Sequence, residues 1–172
     1  LLDIGSGGGD IPRAIAKWAA RDGFPLEITA IDPDERAHAF AISRPKVDGL
    51  VFHRALSSEL VARGRTFDLV TSNHLLHHLD AAQLMSLLSD SQQLCRRAAI
   101  HSDIRRSPLA YGLFSIGTLP FFPGSFIRRD GLTSIRRSYT CRELEQLAPS
   151  GWTVSARRPF HQLLSYRQQS HA

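Results

Sequence analysis

Two spacings of apolar residues alternate along the first hundred positions of the chain. Leu1 to Ile4 is a short apolar run of strand type. Ile11, Ala14, Ile15, Trp18 and Ala19 then recur at i, i+3, i+4, i+7 and i+8, the spacing of one helix face. This helix is expected to open with Asp10 as N-cap and Pro12 in its first turn, and to stop at Gly23 and Pro25. Further strands are expected at 26–31, 50–54, 67–71 and 98–101. Between them lie helices from Pro33 to about Ile42, from Ser58 to Arg63, and from a capping box of Asp80 and Gln83 to about Leu94. Such alternation predicts a parallel sheet with helices on both faces, because parallel strands need crossover connections. Ligands of that architecture bind beyond the carboxyl ends of the strands.

From Ile104 to Tyr139 the alternation fails, and this stretch rich in Phe, Leu, Pro and Gly reads as an insertion or lid. Ser107 and Pro108 have the form of a helix cap and first turn within it. Thr140 with Glu143 three residues on caps another helix, and Pro149-Ser150-Gly151 is a turn. Trp152 to Ala156 and Phe160 to Tyr166 read as two strands, an antiparallel hairpin at the sheet edge. The expected fold is therefore α/β: a seven-stranded, mostly parallel, Rossmann-like sheet in one domain over residues 1–172.

The length of 172 residues with 42% hydrophobic content suits one buried core. The longest uncharged apolar stretch, 109–127, is interrupted by two prolines and three glycines, so no membrane span is expected. Cys95 and Cys141 show no metal-ligand spacing and no disulfide framework, which points to a reducing, cytoplasmic setting. Charge is uneven: residues 1–95 hold 9 basic and 12 acidic residues, net −3, and residues 96–172 hold 12 arginines and 4 acids, net +8. Five Arg-Arg pairs lie in the second part, but they are scattered through different elements, and nucleic acid is not expected as a partner.

Gly5, Gly7 and Gly9 follow the first strand directly and lead into a helix. They let the backbone adopt positive φ and approach a ligand closely, while the free amides of a helix start favour a polar or anionic group. The dinucleotide fingerprint G-x-G-x-x-G would need glycine at position 10, where Asp10 stands. The run Asp3-Ile4-Gly5-Ser6-Gly7-Gly8-Gly9 instead resembles the first motif of class I S-adenosylmethionine-dependent methyltransferases of the small-molecule type. Asp32, in "AIDP", matches that family's ribose-binding acid, and a carboxylate there can accept from both ribose hydroxyls. "FDLVTSNHLLHHL", residues 67–79, is similar to the family's fourth strand and following turn, and the terminal strand pair fits its final hairpin.

What the resemblance implies is a cofactor site of Asp3, Gly5, Ser6, Gly7, Gly9, Asp32, Pro33, Ala55, Leu56, Asn73 and His74. After the third strand the text His53-Arg54-Ala55-Leu56-Ser57 lacks the acid that often holds the adenine amine, leaving backbone groups and apolar contact. Members of the family also carry helices before the first strand, so the chain is expected to be N-terminally truncated.

Catalytic candidates are His74, His78, His101 and Asp103, the last two delivered to the sheet's carboxyl edge by "IHSDIRRSP". In the pair His77-His78 at least one ring is expected to be buried and hydrogen-bonded. Arg105, Arg106, Tyr111 and Phe114 are the substrate candidates, the aromatic run continuing through Phe121, Phe122 and Phe126 as a lid, a core or a pocket lining. The expected activity is O- or C-methylation of a small aromatic or lipophilic acceptor. The alternatives are a nucleic-acid methyltransferase, although Asn73-His74-Leu75-Leu76 lacks the Asn-Pro-Pro-aromatic turn that grips a flipped base amine, or a domain that binds S-adenosylmethionine without transferring it.

Overall fold

A computed structural model describes residues 1–118 and 126–168. Its first part runs β1 (Leu2–Ile4), α1 (Asp10–Arg21), β2 (Ile28–Ile31), α2 (Glu35–Ser43), β3 (Leu50–His53), α3 (Ser57–Ala62) and β4 (Phe67–Asn73). A 3-10 turn at Leu76–His78 leads to α4 (Ala81–Leu94) and β5 (Cys95–Ile104). The chain continues with α5 (Pro108–Gly117), α6 (Phe126–Arg137), α7 (Cys141–Leu147), β6 (Trp152–Arg157) and β7 (His161–Arg167).

The strands form one sheet in the order β3-β2-β1-β4-β5-β7-β6. β1 to β5 are mutually parallel, and β7 enters antiparallel between β5 and β6. The order reverses between β1 and β4, which opens a crevice at their carboxyl ends. β7 runs the other way, so its first residue lies beside the last of β5: Ile104 pairs with His161. That register brings residues 57 positions apart in sequence to one edge.

On one face of the sheet Leu2, Val70, Ala99 and Leu164 pack against Leu84 and Leu88 of α4 and Leu144 of α7, all fully buried. Asp80 accepts from the Gln83 amide and Thr140 from the Glu143 amide, so both expected capping boxes are formed. Among the described residues no helix is long and apolar enough to cross a membrane.

Three local expectations change. α1 is capped by Gly9, held at φ 80, and Asp10 is its first helical residue, paired with Arg44 of the loop after α2. A Cβ on Gly9 would sit 2.6 Å from the Phe52 ring, so the helix starts where only glycine fits. The buried side of α1 is Pro12, Arg13 and Ala16, while Ile11 and Trp18 of the expected apolar face are exposed. Arg13 takes the inner position because its guanidinium donates to the carbonyls of Ala41 and Pro45 and lies over Phe52.

α2 is capped by Asp34, which accepts from the Ala37 amide, and starts two residues later than Pro33. Finally, the stretch expected as an insertion carries two helices. Ser107 caps α5 with Pro108 in its first turn, and α5 and α6 run antiparallel: Arg128 reaches Ser115, Phe114 packs at Gly131, and Arg136 lies over Tyr111.

Candidate functional site

The glycine loop wraps the carboxyl ends of β1 and β2. The amides of Gly5 and Ser6 both donate to the Ile31 carbonyl, at 2.8 and 3.0 Å, which ties the loop to β2. Asp32 follows directly on β2. Its carboxylate accepts from the Gly7 amide at 2.8 Å and from the Asp34 amide at 2.9 Å, bridging the loop and the start of α2. Gly7 has φ 52 and nothing within 4 Å of where a Cβ would be, so the loop presents bare backbone to open space beside a carboxylate.

Next to it lies a cavity of about 320 Å³ lined by Gly5, Pro33, Ala55, Leu56, Leu75 and Leu79, with Ser57, Gln83 and Asp90 on its polar side. Asp90 accepts from the Ser57 hydroxyl at 2.6 Å. The mostly apolar lining of this slot, with a few polar side chains, suits a heteroaromatic ring. Beneath the loop Asp3 is buried and accepts from the Thr71 hydroxyl at 3.0 Å; burial pushes its carboxyl up to about 6.

Across the crevice, the carboxyl ends of β4 and β5 and the start of β7 carry a second cluster. Asp103 is buried and accepts from three donors: the His77 amide at 2.8 Å, His77 Nδ1 at 2.7 Å and the Ile104 amide at 2.6 Å. His74 follows β4 at φ 55, the one non-glycine residue with positive φ among those described, its amide donating to the Ser102 carbonyl. Its Nδ1 is 4.0 Å from Asp103 Oδ1, and its ring meets His161 edge to face at 5.8 Å. Burial lowers the His74 imidazole, opposed by Asp103 and assisted by His161 and His77. Among the described residues no group of three or more His, Cys, Asp or Glu has the form of a metal site.

A family model described as a methyltransferase domain matches residues 1–98. The chain belongs to that methyltransferase family. None of the curated proteins matches the chain. Among solved structures it is similar to the magnesium protoporphyrin IX methyltransferase of Synechocystis PCC 6803 with bound SAH (S-adenosylhomocysteine), at 19% identity and a TM-score of 0.61, over 98% of this chain and 73% of that one. It is also similar to the plantazolicin methyltransferase BpumL in complex with SAH, at 13% identity and a TM-score of 0.71, over 98% and 75% of the two chains. A structure described as converting a disulfide bond into a thioacetal group in echinomycin biosynthesis aligns at 19% identity and a TM-score of 0.65, over 99% and 75%. At these identities the likeness is one of fold. The protein is an S-adenosylmethionine-dependent methyltransferase with a Rossmann-like core.

The methyltransferase brings together most of the residues its sequence singled out. Asp3, Gly5, Ser6, Gly7, Gly9, Asp32, Pro33, Ala55 and Leu56 lie in or beside the loop and slot, and Asn73 and His74 stand at the carboxyl end of β4, the strand next to β1. Others are placed elsewhere. His101 points into the core: it is fully buried, hydrogen-bonded to Ser72 at 2.7 Å and stacked on Trp152, and burial pushes its imidazole down to about 4. No substrate reaches it, because strand alternation turns 99, 101 and 103 to the α4 face and only Asp103 lies at the edge.

His78 is exposed and lies tilted against His77 at 4.1 Å, with no hydrogen bond to orient it; His77 is the buried member of the pair. The Arg106 side chain is tied to Glu143 at the start of α7, and the Arg105 amide donates to the Phe160 carbonyl. Tyr111 and Phe114 face α6. Phe121 and Phe122, and the Phe126 side chain, lie outside the described residues.

Of the residues at the centre of the second cluster, His77 was expected only as one of a pair with a buried, hydrogen-bonded ring, and His161 was not singled out. "LLHHLD" gave no sign of which histidine turns inward. His161 lies in a strand whose only visible property was alternation, and its neighbours are set by pairing with β5.

Proposed function

We propose that this methyltransferase methylates a small acceptor that must give up a proton, a phenolic or enolic hydroxyl or the acidic carbon beside one. The observation that carries this is that the His74–Asp103 cluster stands at the carboxyl ends of β4 and β5, in a sheet where β4 is the neighbour of β1, which leads into the glycine loop. S-adenosylmethionine supplies a methyl group already activated on a sulfonium, so the protein has only to orient the acceptor, exclude water and take the proton.

The residues present fit that cofactor. Asp32 would accept from the two ribose hydroxyls. The slot of Pro33, Ala55, Leu56 and Leu79 would hold the adenine through apolar contact, and the bare backbone at Gly7 lets the nucleoside approach closely. Asn73 and His74 would border the methionyl end. His74, whose imidazole is lowered and therefore neutral near pH 7, has a lone pair available to an acceptor proton. The apolar character of α5, which follows the cluster directly, suits a lipophilic or aromatic acceptor.

Calorimetric titration with S-adenosylmethionine and S-adenosylhomocysteine tests the cofactor site, and transfer of a labelled methyl group to a panel of phenols, hydroquinones, aromatic carboxylates and short RNA tests the acceptor. Micromolar binding with label on the phenols or hydroquinones is the expected result. Label only on the carboxylates or RNA would overturn the acceptor class while leaving the cofactor site intact.

A further inference from the structure

At the edge where β5 ends and β7 begins, the imidazoles of His77 and His74 both face one buried carboxylate, Asp103, and a third, His161, flanks His74. The two that face it are not symmetrical in role. His77 is buried and gives Asp103 both its backbone amide and its Nδ1 proton, so that its Nδ1 is committed. His74 keeps its ring half-exposed, with its Nδ1 4.0 Å from the same carboxylate oxygen, so that neither ring nitrogen is committed to Asp103 by a hydrogen bond. His161 stands edge to face against His74 from the hairpin side. The family model ends at residue 98, so Asp103 and His161 lie outside the stretch that it matches.

We propose that the buried His77–Asp103 pair and His161 are positioning residues that hold His74 as the general base of the methyl transfer. This rests on the acceptor reading above. His77 and the Ile104 amide fix Asp103 in place. Asp103 then orients the His74 ring and stabilises the imidazolium that forms, and His161 packs against its flank and confines it. The backbone of His74 supports this assignment independently. A non-glycine side chain held at φ 55 lies in a sparsely populated region, and such outliers persist where the surroundings over-determine them. In the step itself, the acceptor's O–H or C–H proton passes to His74 Nε2 and the electron pair it leaves forms the bond to the methyl carbon. The pair of the breaking sulfur–carbon bond stays on sulfur, and the imidazolium later returns its proton to water.

The groups facing His74 are Asp103 from β5, His161 from β7 and His77 from the 3-10 turn, and they act in opposite directions. Asp103 favours the imidazolium, whereas His161 and His77 disfavour it. The test is an NMR titration of the His74 ring in the full chain saturated with S-adenosylhomocysteine, its signal assigned by loss in His74→Asn. In His161→Ala the midpoint is expected to rise, and in Asp103→Asn to fall, each by about half a pH unit or more. His161→Phe keeps an aromatic neighbour and should show a smaller rise than His161→Ala. Unchanged midpoints in all three variants, with only thermal stability altered, would show a structural cluster and overturn the proposal.

With phenol and hydroquinone as probes, the wild-type transfer rate should climb through the His74 midpoint, and the climb should move with it in each variant. A rate flat from pH 5 to 8 would remove His74 as base. If no phenol is turned over at all, the acceptor reading fails on its own, and the titration still decides whether these residues control His74.

Discussion

The two sides of the crevice are built by different means. On the β1–β2 side, the loop and Asp32 act through backbone: glycine amides, a left-handed helix cap and a carboxylate that accepts from Gly7 two elements away. On the β5–β7 side the work falls to side chains brought together from residues 74, 77, 103 and 161. A backbone cradle needs particular residue types at particular spacings, whereas a side-chain cluster needs only a register that brings the right groups to one place. The first constrains the sequence locally and is the side proposed for the cofactor. The second constrains the sequence only through the fold and is the side proposed for the acceptor.

The sharpest way to separate the two sides is Asp32→Ala. The two ribose hydrogen bonds proposed for Asp32 would be lost together with the bond to the Gly7 amide, and affinity for S-adenosylhomocysteine should fall by about a thousandfold, some 4 kcal/mol. The His74 NMR midpoint should stay within about 0.2 unit of the wild type. A calorimetric Kd within tenfold of the wild type would break the comparison, because the loop would then hold the cofactor without its carboxylate.

Asp3 gives the next largest effect. Its carboxyl is raised by burial from 3.8 to about 6, with the Thr71 hydroxyl opposing. The folded state therefore prefers the protonated acid. Relative to the unfolded chain, this stability is fully present below pH 3.8, is lost as pH rises to about 6, and stays lost above it. The two-unit difference corresponds to about 3 kcal/mol against folding at pH 8. Asp3→Asn should raise the pH 8 melting temperature of the cofactor-free protein and do little at pH 4. Equal shifts at both pH values in thermal unfolding would contradict this.

Gly9→Val follows, at about 2 to 3 kcal/mol. It forces a β-branched side chain to φ 80 and into the Phe52 ring, so urea unfolding should show the loss and S-adenosylhomocysteine binding should weaken with it.

These differences also explain what the sequence made legible. The parallel sheet with its crossover helices follows from strict alternation, and the capping boxes at Asp80 and Thr140 are short-range chemistry. The face of α1 was misread because Arg13, a charged residue, finds two carbonyls and an aromatic ring inside, contacts that no periodicity contains. His101 was misread in the opposite sense. Its place near the carboxyl end of the fifth strand looked catalytic, but a ring on that strand face stacks on Trp152, some 50 residues further on. His161 was invisible for the same reason, since its partners are fixed only by the antiparallel register of β7 on β5.

The smallest effect is the one that tests the asymmetry between cradle and cluster most directly. On the cradle side positive φ is carried by glycine and costs little, whereas on the cluster side His74 carries it with a full side chain. Replacing His74 by glycine relieves that cost, offset in part by the greater freedom glycine has when unfolded, and a net gain of about 0.5 to 1 kcal/mol is expected. Transfer should nevertheless fall by at least about a hundredfold, the scale of a lost general base, with S-adenosylhomocysteine affinity changed less than about threefold. Asparagine, which tolerates the left-handed region but takes up no proton, should match the glycine variant in rate and approach the wild type in stability. Strain that disappears together with activity identifies a residue held in place for its chemistry. A His74→Gly protein that is less stable than the wild type would instead mean that the imidazole's contacts with Asp103 and His161 outweigh the backbone cost, and that the ring is there to hold the edge of the sheet together.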